Sequence, residues 1–253
     1  MKFRYLLAAA LLPMLAGCTS GPDDGFVFVA HRGGDEMHPE SSQEALTAAA
    51  DAGFPVEFDL RKLRDGGWAI VHDPATDDSV RSVSGPIEDI TGAQWDAARL
   101  SDGGRSGRTA TWDWVVDELP DDVLLVPELK DRKITADDFA EAVRRAGVED
   151  RVIVQSFDFA TAKRLAGHGL DTLFLMTAKS AESPAEIAAA GISHVGPSKA
   201  TSEARLRELK EAGLKVWVWT VNDAESAADL RMSGYVDGVF TDKPHALSGG
   251  RIE

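Results

Sequence analysis

From residue 26 to residue 245 short apolar runs alternate with Ala-rich segments of helical period, and this constrains the fold more than any other feature of the chain. The runs are Phe26-Ala30, Val56-Asp59, Leu124-Leu129, Val152-Ser156, Thr172-Met176, His194-Gly196, Val216-Thr220 and Gly238-Thr241. Between most of them lie helical patterns such as Ser42-Ala52, Ala136-Ala146, Glu203-Ala212 and Ala224-Met232. Strands that alternate with helices need crossover connections, so they pair in parallel. In a chain of 253 residues, eight such strands predict an α/β fold of the closed (β/α)8 TIM barrel type rather than an open sheet. No Gly-x-Gly-x-x-Gly follows the first run, which argues against a dinucleotide-binding open sheet.

One segment breaks the alternation. After Asp59 the chain reads Leu60-Arg61-Lys62-Leu63-Arg64-Asp65-Gly66-Gly67-Trp68-Ala69-Ile70-Val71-His72. Asp65-Gly66 is a hairpin signal, and the link is too short to join parallel strands. Trp68-Val71 is therefore expected to run back antiparallel and to return His72 close to Asp59. The polar, Gly-rich stretch of about 74–108 reads as a small insertion over the barrel mouth.

The formal net charge of -15 repels nucleic acid and anionic headgroups, so no nucleic-acid partner is expected. A phosphate-handling site in such a field needs local cations. Residues 1–17 read as a leader: Lys2 and Arg4 precede an apolar run from Tyr5 to Ala16 that is too short for a permanent span. Leu15-Ala16-Gly17-Cys18 resembles the bacterial lipobox, and Cys18 is the single cysteine of the chain. The expectation is an exported lipoprotein of the cell envelope, held to a membrane by a lipid on Cys18. Residues 18–25 would form the tether and 26–247 the barrel. With one cysteine there is no internal disulfide.

In a barrel of this kind the chemistry sits at the C-terminal ends of the strands. Glu57 and Asp59 lie two apart on one strand and so share a face. Glu128 ends another apolar run. Three carboxylates converging at one mouth must take up protons or be neutralised by a cation. All-oxygen ligation would suit Mg2+ or Ca2+; the alternative is three unrelated rim acids. His31 and His72 arrive by separate routes, and two imidazoles flanking one site can act as base and acid in phosphodiester cleavage. Arg32 and Lys130 are the local cations for the phosphate. Trp219 and Phe157 are candidate walls for the alcohol or headgroup, with packing inside the barrel as the alternative. His168, His194 and His245 read as structural, and His38, in a loop before Pro39, as non-catalytic.

Taken in order, these pieces resemble the glycerophosphodiester phosphodiesterase family. His31-Arg32-Gly33 with Pro39-Glu40 is similar to its opening signature, and Glu57-Phe58-Asp59-Leu60, Asp65-Gly66 and His72-Asp73 to its second. Glu128-Leu129-Lys130, Gln155-Ser156-Phe157, Trp217–Asn222 and Asp237–Pro244 follow in order. The resemblance implies Glu57, Asp59 and Glu128 as ligands of a divalent cation and His31 and His72 as the acid/base pair. It also implies attack by a neighbouring glycerol hydroxyl through a cyclic phosphate, with a small glycerophosphodiester as substrate. A lyase that stops at the cyclic phosphate, a lysophospholipase D-like activity, and a lipid-anchored binding protein without turnover are the alternatives. Two departures stand out. Ser41-Ser42 replaces the family's Asn-Thr, though Ser42 can still cap a helix. Pro74–Val80 replaces an Arg-Thr-Thr-like run, a change that bears on selectivity more than on catalysis.

Overall fold

The computed structural model describes residues 25–76 and 78–249. In chain order the elements are β1 (Val27–Ala30), α1 (Gln43–Asp51), β2 (Val56–Lys62), β3 (Trp68–Ile70), β4 (Val80–Arg81), α2 (Gly92–Ala97), β5 (Arg99–Asp102), β6 (Arg105–Arg108), α3 (Trp112–Glu118) and β7 (Leu125–Leu129). They continue with α4 (Ala136–Ala146), β8 (Ile153–Ser156), α5 (Phe159–Gly167), β9 (Asp171–Met176), α6 (Pro184–Ala189), β10 (His194–Pro197), α7 (Glu203–Glu211), β11 (Lys215–Val218), α8 (Ala224–Met232), β12 (Gly238–Thr241) and α9 (Pro244–Ser248). Strands β1, β2 and β7 to β12 pair in parallel around a full circle, with β12 back against β1. The chain is a closed (β/α)8 barrel with an insertion after the second strand's hairpin.

The helices start where local chemistry dictates. Ser42 accepts a hydrogen bond from Ala45 N and so caps α1, as its position before an Ala-rich run predicts. Thr135 and Asp138 form a reciprocal capping box on α4, and Gly147 ends that helix in the left-handed conformation. Inside the barrel Val29, Val126, Ile153, Leu173, Leu175, Trp217 and Phe240 pack against one another. Trp217 points into this core, whereas Val216 and Val218 on the opposite face pack outward against the helices. His194 meets the Trp217 ring edge to face at 4.9 Å, a core contact.

Strand β3 turns back along the end of β2, with Lys62 opposite Trp68 and Leu60 opposite Ile70. Val71 N then donates to Asp59 O at 3.0 Å, which sets His72 beside the mouth as the hairpin predicts. The insertion is more ordered than its polar composition suggests. Strands β4, β5 and β6 form a separate antiparallel sheet. Its own core joins Leu63 and Val71 of the hairpin to Val80, Ile87, Ile90, Trp95 and Leu100. Trp95 is fully buried, and its Nε1 donates to Ala110 O at 2.9 Å. Burial of side chains this size contributes roughly 1.5–3 kcal/mol each, so the insertion is pinned to the barrel beside His72.

Candidate active site

The His31-Arg32-Gly33 turn leaves β1 with Arg32 in the left-handed region at φ 53°. Gly33 follows at φ 80°, and a Cβ there would lie 2.8 Å from the backbone of Ala45 and Leu46 in α1. No residue with a side chain fits that approach, which accounts for the glycine. The tight turn aims Arg32 N at Glu57 Oε2, to which it donates at 2.8 Å. Backbone strain at one strand end thus delivers a hydrogen bond to a buried acid on the next strand.

Glu57 and Asp59 project from β2 into the mouth, and Glu128 on β7 stands in register opposite Asp59. The three carboxylates are buried, and each offers an oxygen within 4.8 Å of the others. Burial, with the neighbouring Asp59 charge, pushes Glu57 up to about 8 and Glu128 up to about 7. Protein cations relieve only part of the crowding. Lys130 Nζ lies 2.9 Å from Glu128 Oε2 and 3.3 Å from Asp59 Oδ1. Arg32 Nε lies 3.4 Å from Asp59 Oδ2, yet neither of these two buried atoms has a hydrogen-bond partner among the described residues. Two positive side chains face three acids. An orphaned carboxylate oxygen among hard oxygen donors fits a divalent cation of the Mg2+ or Ca2+ type, held by Glu57, Asp59 and Glu128.

The histidines flank this cluster. His31 Nδ1 lies 2.5 Å from Asp242 Oδ1, and its Nε2 is 4.0 Å from Glu57 Oε2. Burial opposes charge on His31, but the Asp242 hydrogen bond and the Glu57 charge outweigh it and raise its pKa. His72 Nδ1 lies 2.7 Å from Asp73 Oδ1, and burial, aided by Arg32 and Lys130 against the pull of Asp59, lowers its pKa. In both rings a carboxylate occupies Nδ1 and leaves Nε2 for chemistry. Arg61 fixes the backbone of the second histidine by donating to His72 O through Nε and Nη2 at 2.8 and 2.5 Å.

His31, Arg32, Glu57, His72, Glu128 and Lys130 line one cavity of about 190 Å3. Phe157 and Trp219 close another side of it, their rings meeting edge to face at 5.5 Å. Phe157 is 41% exposed at the mouth, whereas Trp219 packs against the barrel core and donates from Nε1 to Gly196 O at 2.6 Å, so its ring serves both packing and the cavity wall. A cleft of about 580 Å3 between the mouth and the insertion adjoins at His72. All the site residues expected from the sequence converge here except Cys18, which lies outside the described residues. Gln155, Asn222 and Asp242 carry no role in the sequence reading. Gln155 Nε2 donates to Glu57 Oε1 at 2.9 Å and so orients that acid. Its signal was its position at a strand end, in register with Glu128. His168 pairs with Asp137 at the surface, and His245 packs on Phe54; both are structural.

The sequence model of the Glycerophosphoryl diester phosphodiesterase family matches residues 31–246. YqiK, an uncharacterized protein of Bacillus subtilis (strain 168), is 29% identical over 238 residues, covering 87% of this chain and 96% of its own. A phosphodiesterase from Oleispira antarctica, solved in complex with the product sn-glycerol-3-phosphate, superposes with a TM-score of 0.77 at 21% identity over 88% of this chain and 95% of that one. A glycerophosphodiester phosphodiesterase from Thermotoga maritima gives 0.76 at 24% identity, over 88% and 97%.

The raised acids set a pH dependence. Folded Glu57 and Glu128 hold protons that the unfolded chain has already released, so stability falls as pH rises from about 4.5 towards 8. A divalent cation displaces those protons and removes the penalty. Melting temperatures in EDTA should therefore drop between about pH 5 and pH 8, and added Mg2+ or Ca2+ should raise them more at the upper pH. Equal cation effects at both pH values would contradict the shared acid site.

Proposed function

This chain belongs to the glycerophosphoryl diester phosphodiesterase family, and from that premise we propose that it hydrolyses small glycerophosphodiesters to an alcohol and glycerol 3-phosphate by two-histidine acid/base catalysis at a divalent-cation site. One observation carries the reading. Two imidazoles from different strand ends flank one cavity, each with Nδ1 held by a carboxylate, beside three acids that share one small volume. A pure binding site has no need of a matched pair of proton-transfer groups. The product found in the Oleispira phosphodiesterase is the one proposed here.

The chain's own residues account for the steps. Lys130 and Arg32 set positive charge beside the phosphoryl oxygens. One imidazole takes the proton of the neighbouring glycerol hydroxyl as that oxygen attacks phosphorus. The other gives a proton to the departing alcohol oxygen, so the P–O bond to the alcohol breaks as the cyclic phosphate closes. With the roles reversed, water opens the cyclic phosphate to glycerol 3-phosphate and the proton balance is restored. A divalent cation held by Glu57, Asp59 and Glu128 would supply Lewis-acid screening of the developing phosphoryl charge. Phe157 and Trp219 offer an apolar wall for the glycerol or headgroup carbons.

Location rests on the sequence pattern alone: a leader over residues 1–17 and lipid attachment at Cys18 would anchor the enzyme in the cell envelope. Among the described residues no helix is long and apolar enough to cross a membrane.

A soluble form beginning at Gly21 should release glycerol 3-phosphate from a panel of glycerophosphodiesters and lose that activity in EDTA. His31→Ala and His72→Ala should each lower turnover by about 10^2-fold or more with the fold intact. Near-normal turnover in either variant would remove its acid/base role, and activity that survives thorough chelation would remove the cation. Accumulated cyclic phosphate would mark a lyase, and tight binding without product a binder. In cells, Cys18→Ala should shift the protein from the membrane to the soluble fraction; an unchanged membrane fraction would contradict the lipid anchor.

A further inference from the structure

We infer that Asp242 and Asn222 are positioning residues for His31, acting through a chain of hydrogen bonds that crosses the seam where the barrel closes. The inference rests on the reading of His31 as a proton-transfer group. His31 follows β1 and Asp242 follows β12; these strands pair with Ala30 opposite Thr241, so the next residue of each strand end meets the other. His31 Nδ1 and Asp242 Oδ1 are 2.5 Å apart. Asn222, in the turn after β11, then grips Asp242 at two points. Its Nδ2 donates to Asp242 Oδ2 at 2.5 Å, and its Oδ1 accepts from Asp242 N at 2.9 Å and from Thr241 Oγ1 at 3.1 Å.

The amide orientation of Asn222 is set by chemistry. A flipped amide would turn oxygen against a carboxylate and N–H2 against an N–H donor. The turn that carries it is fixed as well, since Val221 N donates to Phe240 O at 2.9 Å. Asp35 N donates to Asp242 O at 2.9 Å, so the backbone of the acid is held from a further side. An ionised carboxylate is an acceptor only, and it selects the His31 tautomer with the proton on Nδ1. Nε2 then carries the free lone pair and faces the cavity beside Glu57. The equivalent group at the second histidine is looser: the Asp73 side chain is 54% exposed. The strand-end row β11, β12, β1 thus fixes the direction and tautomer of the first imidazole, much as a metal-bound or catalytic histidine is fixed by a carboxylate partner elsewhere.

The test separates positioning from packing. Asp242→Asn keeps the size of the side chain but can no longer enforce the tautomer. Its kcat should fall by about 10^2-fold, with KM and the metal requirement held within about twofold. Asn222→Asp is nearly isosteric, yet it sets two carboxylates against each other; it should lose more turnover than Asn222→Ala, the reverse of what packing alone predicts. Proton NMR of the wild-type protein in water should show a far-downfield imidazole N–H signal that vanishes in both His31→Ala and Asp242→Asn. Wild-type-like kcat in Asp242→Asn, Asn222→Asp equal to wild type, or a downfield signal that survives in Asp242→Asn would each overturn the inference. The NMR arm needs no substrate. If the wild-type protein cleaves no glycerophosphodiester while that signal behaves as expected, the activity reading fails and the positioning chain stands.

Discussion

Three carboxylates buried in one small volume are the constraint on which the rest of the site depends. Charges within 4.8 Å of one another repel by roughly 3–4 kcal/mol per pair at an effective dielectric near 20. Loss of water from such groups costs still more. A chain that keeps Glu57, Asp59 and Glu128 together must therefore supply relief, and each neighbouring group does some of it. Lys130 faces Glu128 and Asp59, Arg32 faces Asp59, and Gln155 and the Arg32 amide donate to the two oxygens of Glu57. With all three acids ionised, three negative charges face two positive ones, and one Asp59 oxygen is buried without a hydrogen-bond partner among the described residues, which is the chemistry that a divalent cation satisfies.

Closure of the barrel turns that cluster into a site. Register between β2 and β7 brings two acids level, and the pairing of β12 with β1 brings Asp242 to His31. The antiparallel excursion through β3 supplies the second histidine from above the mouth, a place that no parallel strand end could reach. The insertion then packs its small core under that excursion and bounds the larger cleft beside His72. Fold and chemistry are joined at the strand ends, where backbone hydrogen bonds set positions and side chains set charge.

Much of this was legible in the chain. The eight strands and the hairpin follow from apolar runs and from Asp65-Gly66, because strand pairing is dictated by short-range chemistry. Acids in otherwise apolar strands mark themselves, since an unpaired carboxylate inside Val56–Leu60 is costly anywhere else. The supporting groups were less legible. Asn222 and Asp242 meet through the pairing of β11 with β12, twenty residues apart along the chain, and Asp242 reaches His31 only through barrel closure, 211 residues away, and nothing local signals that contact. Gln155 is an ordinary polar residue until its register with Glu128 is known. The sheet of the insertion was hidden by composition, because its strands are short and mostly exposed. Its clearest local mark is Gly103-Gly104, a two-residue loop with both φ positive that joins β5 to β6. Trp95 shows why a polar stretch can still hold a core: one large ring fills it.

The account stands on a cation bound by oxygens from two adjacent strands. Anomalous diffraction from crystals soaked in Mn2+ addresses that directly. The account predicts one strong peak in contact with carboxylate oxygens of Glu57, Asp59 and Glu128, with Lys130 turned towards the cavity. A saturating soak that leaves this position empty, with Lys130 seated among the three acids as their sole counter-charge, would contradict it.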